Sequence, residues 1–249
     1  MYIACGASVA GTRHTHGDRP CEDAWSAVTH SDALILAIAD GLSSAPCGGT
    51  GATIAVSTSV MHAADLLKAD ETQDPADVLL NAFSTARETI EQSALSCGRE
   101  ISDYATTLLV TILTHDEVIC GHIGDGACVT VLDSELSVLS PPGKAEYANE
   151  TASLTRKNWR QVIRISSGTA DAVLCTTDGC QGALIRHEQG SYVPYGPFII
   201  PLVRSLERFA HEERDLNTEI ADLLSSPRMQ ALSSDDMTLA VGFITGDLE

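Results

Sequence analysis

The sequence predicts an α+β fold of largely antiparallel β-sheets covered by helices. Three observations point there. Apolar runs of strand length follow one another without the regular strand–helix alternation of a parallel sheet. Two amphipathic helical stripes stand together in the first half of the chain. No repeat, low-complexity tract or Pro/Ser-rich linker interrupts the 249 residues, so a single domain over 1-249 is expected.

The elements read in order. Residues 2–10 and 24–29 form short β-like runs, separated by the polar loop GTRHTHGDRPCED. Leu34 to Ala39 is a continuous apolar strand that stops at Asp40-Gly41, and a loop with Gly48, Gly49 and Gly51 follows. Val56, Val60, Ala63 and Leu67 recur at helical spacing. A second helix opens at Asp74-Pro75, an N-cap residue with proline at the first helical position, and buries Leu79, Ala82, Phe83, Ala86, Ile90 and Ala94. Strands are then expected at 106–113, 118–123 and 127–132, with His115-Asp116 and Gly124-Asp125-Gly126 as hairpin turns. A further strand pair is expected at 161–165 and 172–175, a helical region near 198–224, and a closing strand at 237–244.

Composition narrows the function classes. Aromatic residues make up only 4%, so Ala, Val, Leu and Ile must fill the core. A formal net charge of −19 repels nucleic acid phosphates and anionic lipid, which excludes both as expected partners. The eight cysteines include no CxxC pair, which argues against a zinc ribbon. The N-terminus lacks a basic start followed by a long apolar stretch, and no window of about 18 apolar residues occurs. A cytoplasmic protein with reduced thiols, no nucleic acid and no membrane is therefore expected.

Acidic residues recur at the ends of strands. LILAIADG ends at Asp40-Gly41, VICGHIGDG at Asp125-Gly126 and AVLCTTDG at Asp178-Gly179. Ser234-Asp235-Asp236 precedes the last strand, and Glu22-Asp23 opens the second. One Asp-Gly alone reads as a turn. Five acidic strand ends can converge on one rim if the sheets stack. Two carboxylates about 5 Å apart repel by roughly 3 kcal/mol at an effective dielectric near 20, so such a rim calls for cations. All-oxygen ligands select Mg²⁺, Mn²⁺ or Ca²⁺. The spacing is not that of an EF-hand, and a pair of ions can generate a nucleophile from water.

These segments resemble the metal-dependent Ser/Thr phosphatases of the type 2C (PPM) family, in its bacterial branch. GTRHTHGDRPCEDAW, LAIADGLSSA, YATTLLVTILT with GHIGDGACVTV, EYANETASLT, AVLCTTDG and SSDDMTLAV carry the likeness, in the family's order. The resemblance implies an αββα sandwich, two central antiparallel sheets flanked by helices. It implies a two-ion Mn²⁺ or Mg²⁺ centre with a third, weaker ion. Asp40 then bridges both ions and Gly41 offers its carbonyl. Glu22 serves one ion, with Asp23 reaching it through water, and Asp178 and Asp235 serve the other. Asp125 shares the third ion with Asp178. Asp236 stands where the family often has Asn, and a supporting role is expected of it. Phosphoserine or phosphothreonine on a protein is the implied substrate, with a Ser/Thr kinase or its targets as partners, and the implied reaction is direct attack by metal-activated water.

Two departures matter. Many members carry an Arg four residues before the Glu, where this chain has Asp18; Arg13 or Arg19 is then expected to grip the phosphate. Leu42-Ser43-Ser44 follows Asp40-Gly41 where animal members have a His, so His14, with His16 behind it, is expected to protonate the leaving alkoxide. His122 is expected to be a strand residue facing a hydrogen-bond partner, and Asn149 a turn cap. Two other readings stay open: a pseudophosphatase acting as a binding module, and a metal hydrolase of small phosphate esters.

Overall fold

The structure, a computed structural model, describes residues 1–12, 20–30, 32–70, 72–143 and 151–245. The chain begins with β1 (Tyr2–Val9), β2 (Asp23–His30) and β3 (Ala33–Asp40). Helices α1 (Gly48–Ala69) and α2 (Pro75–Ser96) follow. Then come β4 (Leu108–Leu113), β5 (Val118–Ile123), β6 (Ala127–Leu132) and β7 (Glu135–Ser140). A one-turn helix α3 (Trp159–Val162) precedes β8 (Arg164–Gly168) and β9 (Ala172–Thr176). Helix α4 (Asp178–Leu184) leads into a hairpin of β10 (Ile185–Glu188) and β11 (Ser191–Pro194). Helices α5 (Gly196–His211), α6 (Leu216–Ser225) and α7 (Pro227–Gln230) come before the closing strand β12 (Met237–Ile244).

Two five-stranded antiparallel sheets form the centre, in the orders β2-β3-β4-β5-β8 and β1-β12-β9-β6-β7. Alternation along each strand sorts the core into three layers. On β3, Ile35, Ala37 and Ala39 face the α1–α2 pair, where alanines and Phe83 fill the gap. Leu34, Leu36 and Ile38 face the other sheet and meet Val173, Cys175 and Ala240 there. The outer face of that second sheet, with Leu174, Val241 and Phe243, packs on Ile199, Val203, Ile220 and Leu224 of α5 and α6. The α+β sandwich with two central sheets is the expected one.

Asp74 caps α2 by accepting from Ala76 N, with Pro75 next, as the sequence predicts. The helical region expected near 198–224 holds two helices; Glu213 takes φ 54° between them, and Asp215 starts α6 by accepting from Asn217 N. Gly124-Asp125-Gly126 is not a hairpin turn. β5 and β6 belong to different sheets, and Gly124 (φ 127°) helps the chain cross between them. Stacked sheets lie about 10 Å apart, which three extended residues can span. The strand pair expected at 161–165 and 172–175 is likewise divided, β8 pairing with β5 and β9 with β6 and β12.

Candidate metal centre

Antiparallel pairing decides where the acidic residues go. β3 ends beside the start of β2, and Asp23 faces Asp40 across that pair. In the second sheet Thr176, the last residue of β9, pairs with Ala127 at the start of β6 and with Leu239 near the start of β12. The turns carrying Asp125, Asp178 and Asp235-Asp236 therefore leave the sheets at one rim. Glu22, Asp40, Gly41, Asp125, Asp178, Asp235 and Asp236 line one cleft there, together with Leu42, Ser43 and Thr151. Its volume is about 140 Å³. Water occupies roughly 30 Å³ per molecule in the liquid, so several ion- or water-sized bodies fit.

Asp40 is the electrostatic centre of the cleft. Burial, followed by the charges of Asp23, Asp178, Asp125 and Asp235, pushes its carboxyl well above the usual aspartate range. Its backbone is fixed by two threonines of the segment YATTLLV. Asp40 N donates to Thr107 Oγ1 (2.9 Å), while Thr107 N and Thr106 Oγ1 donate to Asp40 O (2.9 Å each).

Asp23 is buried and is not among the lining residues. Its Oδ2 accepts from Thr177 Oγ1 (2.7 Å) and Thr238 Oγ1 (2.9 Å). Burial pushes its carboxyl up to about 7; those two hydroxyls pull it down, and the Asp236 and Asp178 charges add to the rise. Glu22 presents Oε2 as a buried oxygen with no hydrogen-bond partner.

The glycines of two Asp-Gly pairs serve close approach. Neither Gly41 nor Gly179 has a positive φ. A Cβ on Gly41 would stand 2.2 Å from Gly48 C, and one on Gly179 would stand 1.9 Å from Asp236 O. A side chain at Gly41 would push the end of β3 from the start of α1, and one at Gly179 would part Asp178 from Asp235-Asp236.

Asp125 is held from three directions. Thr151 Oγ1 donates to its Oδ2 (3.1 Å), and Gln181 Nε2 donates to its carbonyl. The carbonyl of the preceding Gly124 accepts from Gly143 N (3.0 Å). Behind it, His122 Nδ1 lies 2.8 Å from Arg164 Nη2 and 2.9 Å from Ser140 Oγ. A guanidinium only donates, so Nδ1 accepts and the ring proton sits on Nε2. Burial, then the Arg164 charge, holds the ring neutral, well below the usual histidine range. His122 thus faces hydrogen-bond partners, as expected from its strand position.

Asp236 reaches Gly11 N with Oδ1 (2.8 Å) and Glu22 N with Oδ2 (2.6 Å). Arg13, His14, His16, Arg19 and Asn149 lie outside the described residues. Sequence reasoning missed the threonines that hold Asp23 and Asp40, and also Gln181 and Thr151. Thr177, Gln181 and Thr238 lie within three residues of an acidic strand end, whereas Thr106, Thr107 and Thr151 stand apart from one in the sequence.

The residues present fit hard divalent cations. The lining donors are oxygen, one buried carboxylate oxygen of Glu22 has no partner, and Asp40 resists ionisation among its neighbours. Among the described residues no group of three or more His, Cys, Asp or Glu side chains stands close enough to hold an ion as placed. The carboxylates line the cleft. A larger cavity of about 660 Å³ lies among α4 to α7, but its lining is chiefly apolar, with Phe198, Leu202, Phe209, Ile220 and Leu223. Arg186, Arg228, Glu219 and Asp222 stand at its lining, and none of the acidic strand ends does. Among the described residues, no helix is long and apolar enough to cross a membrane.

Comparison with known proteins agrees with this geometry. The family model described as Protein phosphatase 2C matches residues 10–225. Serine/threonine-protein phosphatase 3 of Escherichia coli (strain K12) is 31% identical over 245 residues, covering 94% of this chain and 95% of that protein. Among solved structures, the catalytic domain of the serine threonine protein phosphatase PstP in complex with 2 manganese ions superposes with a TM-score of 0.63 at 15% identity, covering 98% of this chain and 99% of that one. The S. agalactiae serine/threonine phosphatase gives 0.64 at 15% identity, with 98% and 100% covered. Those two likenesses bear on the fold.

Proposed function

The chain belongs to the protein phosphatase 2C family, and on that premise we propose that it is a protein serine/threonine phosphatase that hydrolyses phosphoserine and phosphothreonine at a pair of Mn²⁺ or Mg²⁺ ions, with a third, weaker ion beside them. The observation that carries this reading is the position of Asp40, whose buried carboxyl feels the charge of four other aspartates. When bound, such ions acidify water for in-line attack on phosphorus and offset charge on the transferring phosphoryl group.

The chain's own groups do the rest. Asp40 is the shared ligand, Gly41 adds its carbonyl, and Glu22 serves one ion with Asp23 acting through water. Asp178 and Asp235 serve the other ion, and Asp125 with Asp178 the third. Asp125 and Asp178 both line the cleft, and Thr151 and Gln181 brace Asp125, which supports that sharing. Arg13 or Arg19 orients the phosphate, and His14 gives a proton to the leaving alkoxide. The partner is a phosphorylated protein of the cytoplasm, a Ser/Thr kinase or one of its targets.

Turnover of p-nitrophenyl phosphate and of a phosphothreonine peptide, with Mn²⁺ and with chelator, tests the proposal. Both should be hydrolysed with Mn²⁺ and neither with chelator. No turnover with any divalent ion would make the protein a binding module. Hydrolysis of the small ester alone would make it a different metal hydrolase.

A further inference from the structure

We propose that Asp236 is a positioning residue that sets Glu22 in place by clamping two backbone N–H groups, a task an asparagine cannot complete. The clamp stands on the described geometry; its effect on ion binding rests on the reading of Glu22 as a metal ligand.

Glu22 lines the cleft, and its buried Oε2 has no hydrogen-bond partner to aim it. Its backbone, by contrast, is held on both sides. Its N–H donates to Asp236 Oδ2 (2.6 Å), and its carbonyl accepts from Gly41 N (3.1 Å). Gly49 closes the third side, where a Cβ would stand 3.0 Å from Glu22 Cα.

The second oxygen of Asp236 accepts from Gly11 N at 2.8 Å. Gly11 and Glu22 flank residues 12–21, so one carboxylate fastens both ends of that segment to the start of β12. The contact is built for closeness. A Cβ on Gly11 would stand 2.2 Å from Asp235 O, and Asp236 itself is only 4% exposed. Two N–H donors facing one side chain need two acceptor atoms. An amide of the same shape has one acceptor, and its NH₂ would meet the other N–H donor to donor. The family often carries Asn at this position; in this chain the geometry asks for a carboxylate.

The test compares Asp236→Asn with wild type. Chelator-stripped protein is titrated with Mn²⁺ by calorimetry, and the same samples are followed by thermal melting and by amide hydrogen exchange. Asp236→Asn should melt cooperatively and lose exchange protection at Gly11 or Glu22. It should bind Mn²⁺ about 10–100-fold more weakly, the range seen when the support of a metal ligand is removed. Turnover should recover as Mn²⁺ is raised, because the ligand itself is still present. Unchanged Mn²⁺ affinity, or both amides still protected, overturns the proposal. A purely structural role would lower the melting temperature and leave Mn²⁺ affinity alone, which also overturns it. A wild type that binds no Mn²⁺ would sink the metal reading separately, and exchange at the two amides would still decide the clamp. If Asp236→Asn does not fold, the wild type decides: Gly11 and Glu22 amides exchanging as fast as exposed loop amides would rule the clamp out.

Discussion

A carboxylate at position 40 is repelled from four directions, by Asp23, Asp178, Asp125 and Asp235, and is buried as well. Its worth to the protein lies in the ions it is read to hold, and without them it is a cost. Asp40→Asn should therefore abolish turnover while raising the melting temperature in chelator, by about 2–4 °C for each kcal/mol of repulsion relieved. Unchanged turnover would remove Asp40 from the site. Asp23 gives a matching pH dependence. Its carboxyl stands at about 7 in the folded protein against 3.8 for an unperturbed aspartate. The folded state binds that proton more tightly, so the contribution is complete below about pH 4 and is lost as pH rises toward 7. The loss is at most about 4 kcal/mol, at 1.36 kcal/mol per unit. In chelator the melting temperature should fall between about pH 4 and pH 7, and Asp23→Asn should flatten that fall; a flat wild-type profile would contradict the burial of this charge. The acidic residues themselves were legible because acidic sites recur at five strand ends, where one alone reads as a turn. Thr177, Thr238 and Gln181 were not, because nothing local distinguishes a hydroxyl or amide that braces a distant carboxylate from one that meets water.

At the scale of elements, the long strands and the two long helices followed from apolar periodicity, since each buries a face over several turns or pleats. The elements missed were short or broke the rules of propensity. β7 has the partly exposed pattern of an edge strand. α4 spans seven residues and holds two glycines, yet it forms because Asp178 and Gly179 must pack against the start of β12. The crossing at Gly124-Asp125-Gly126 was read as a hairpin and the one between β8 and β9 as a strand pair, because sequence shows a turn and not the sheet it leads to. Strand-end glycine carries its own prediction. Gly179→Ala would place a methyl group 1.9 Å from Asp236 O, and relief requires α4 and the start of β12 to separate. A cost of about 1–3 kcal/mol is expected, as for other overpacked sites, with loss of turnover beyond what the stability change explains. Denaturant melts with turnover under folded conditions would check it, and a fully active Gly179→Ala protein would show that the approach is not needed.

Across the whole molecule, the sandwich has two faces for each sheet, and both faces of β3 are buried, which is why its run reads as continuously apolar. The charge of −19 acts on the same scale. It should favour phosphopeptides flanked by Lys or Arg over acidic ones, through a lower KM that converges as salt is raised past the point where the Debye length falls to about 3 Å. Equal KM values at low salt would show that the field does not reach the substrate. The order of strands has a further consequence. One sheet, β2-β3-β4-β5-β8, is complete by residue 168, whereas the other lacks its second strand until β12 inserts between β1 and β9. That late strand also brings Asp235 and Asp236 to the rim. During translation, then, half of the sandwich can assemble on the ribosome while the catalytic end stays open, and a nascent chain stalled before residue 235 has no complete cleft. Four acidic residues of the cleft, Glu22, Asp40, Asp125 and Asp178, are in place earlier in the chain, and hydrolytic competence is expected only once the segment carrying Asp235 and Asp236 has joined them.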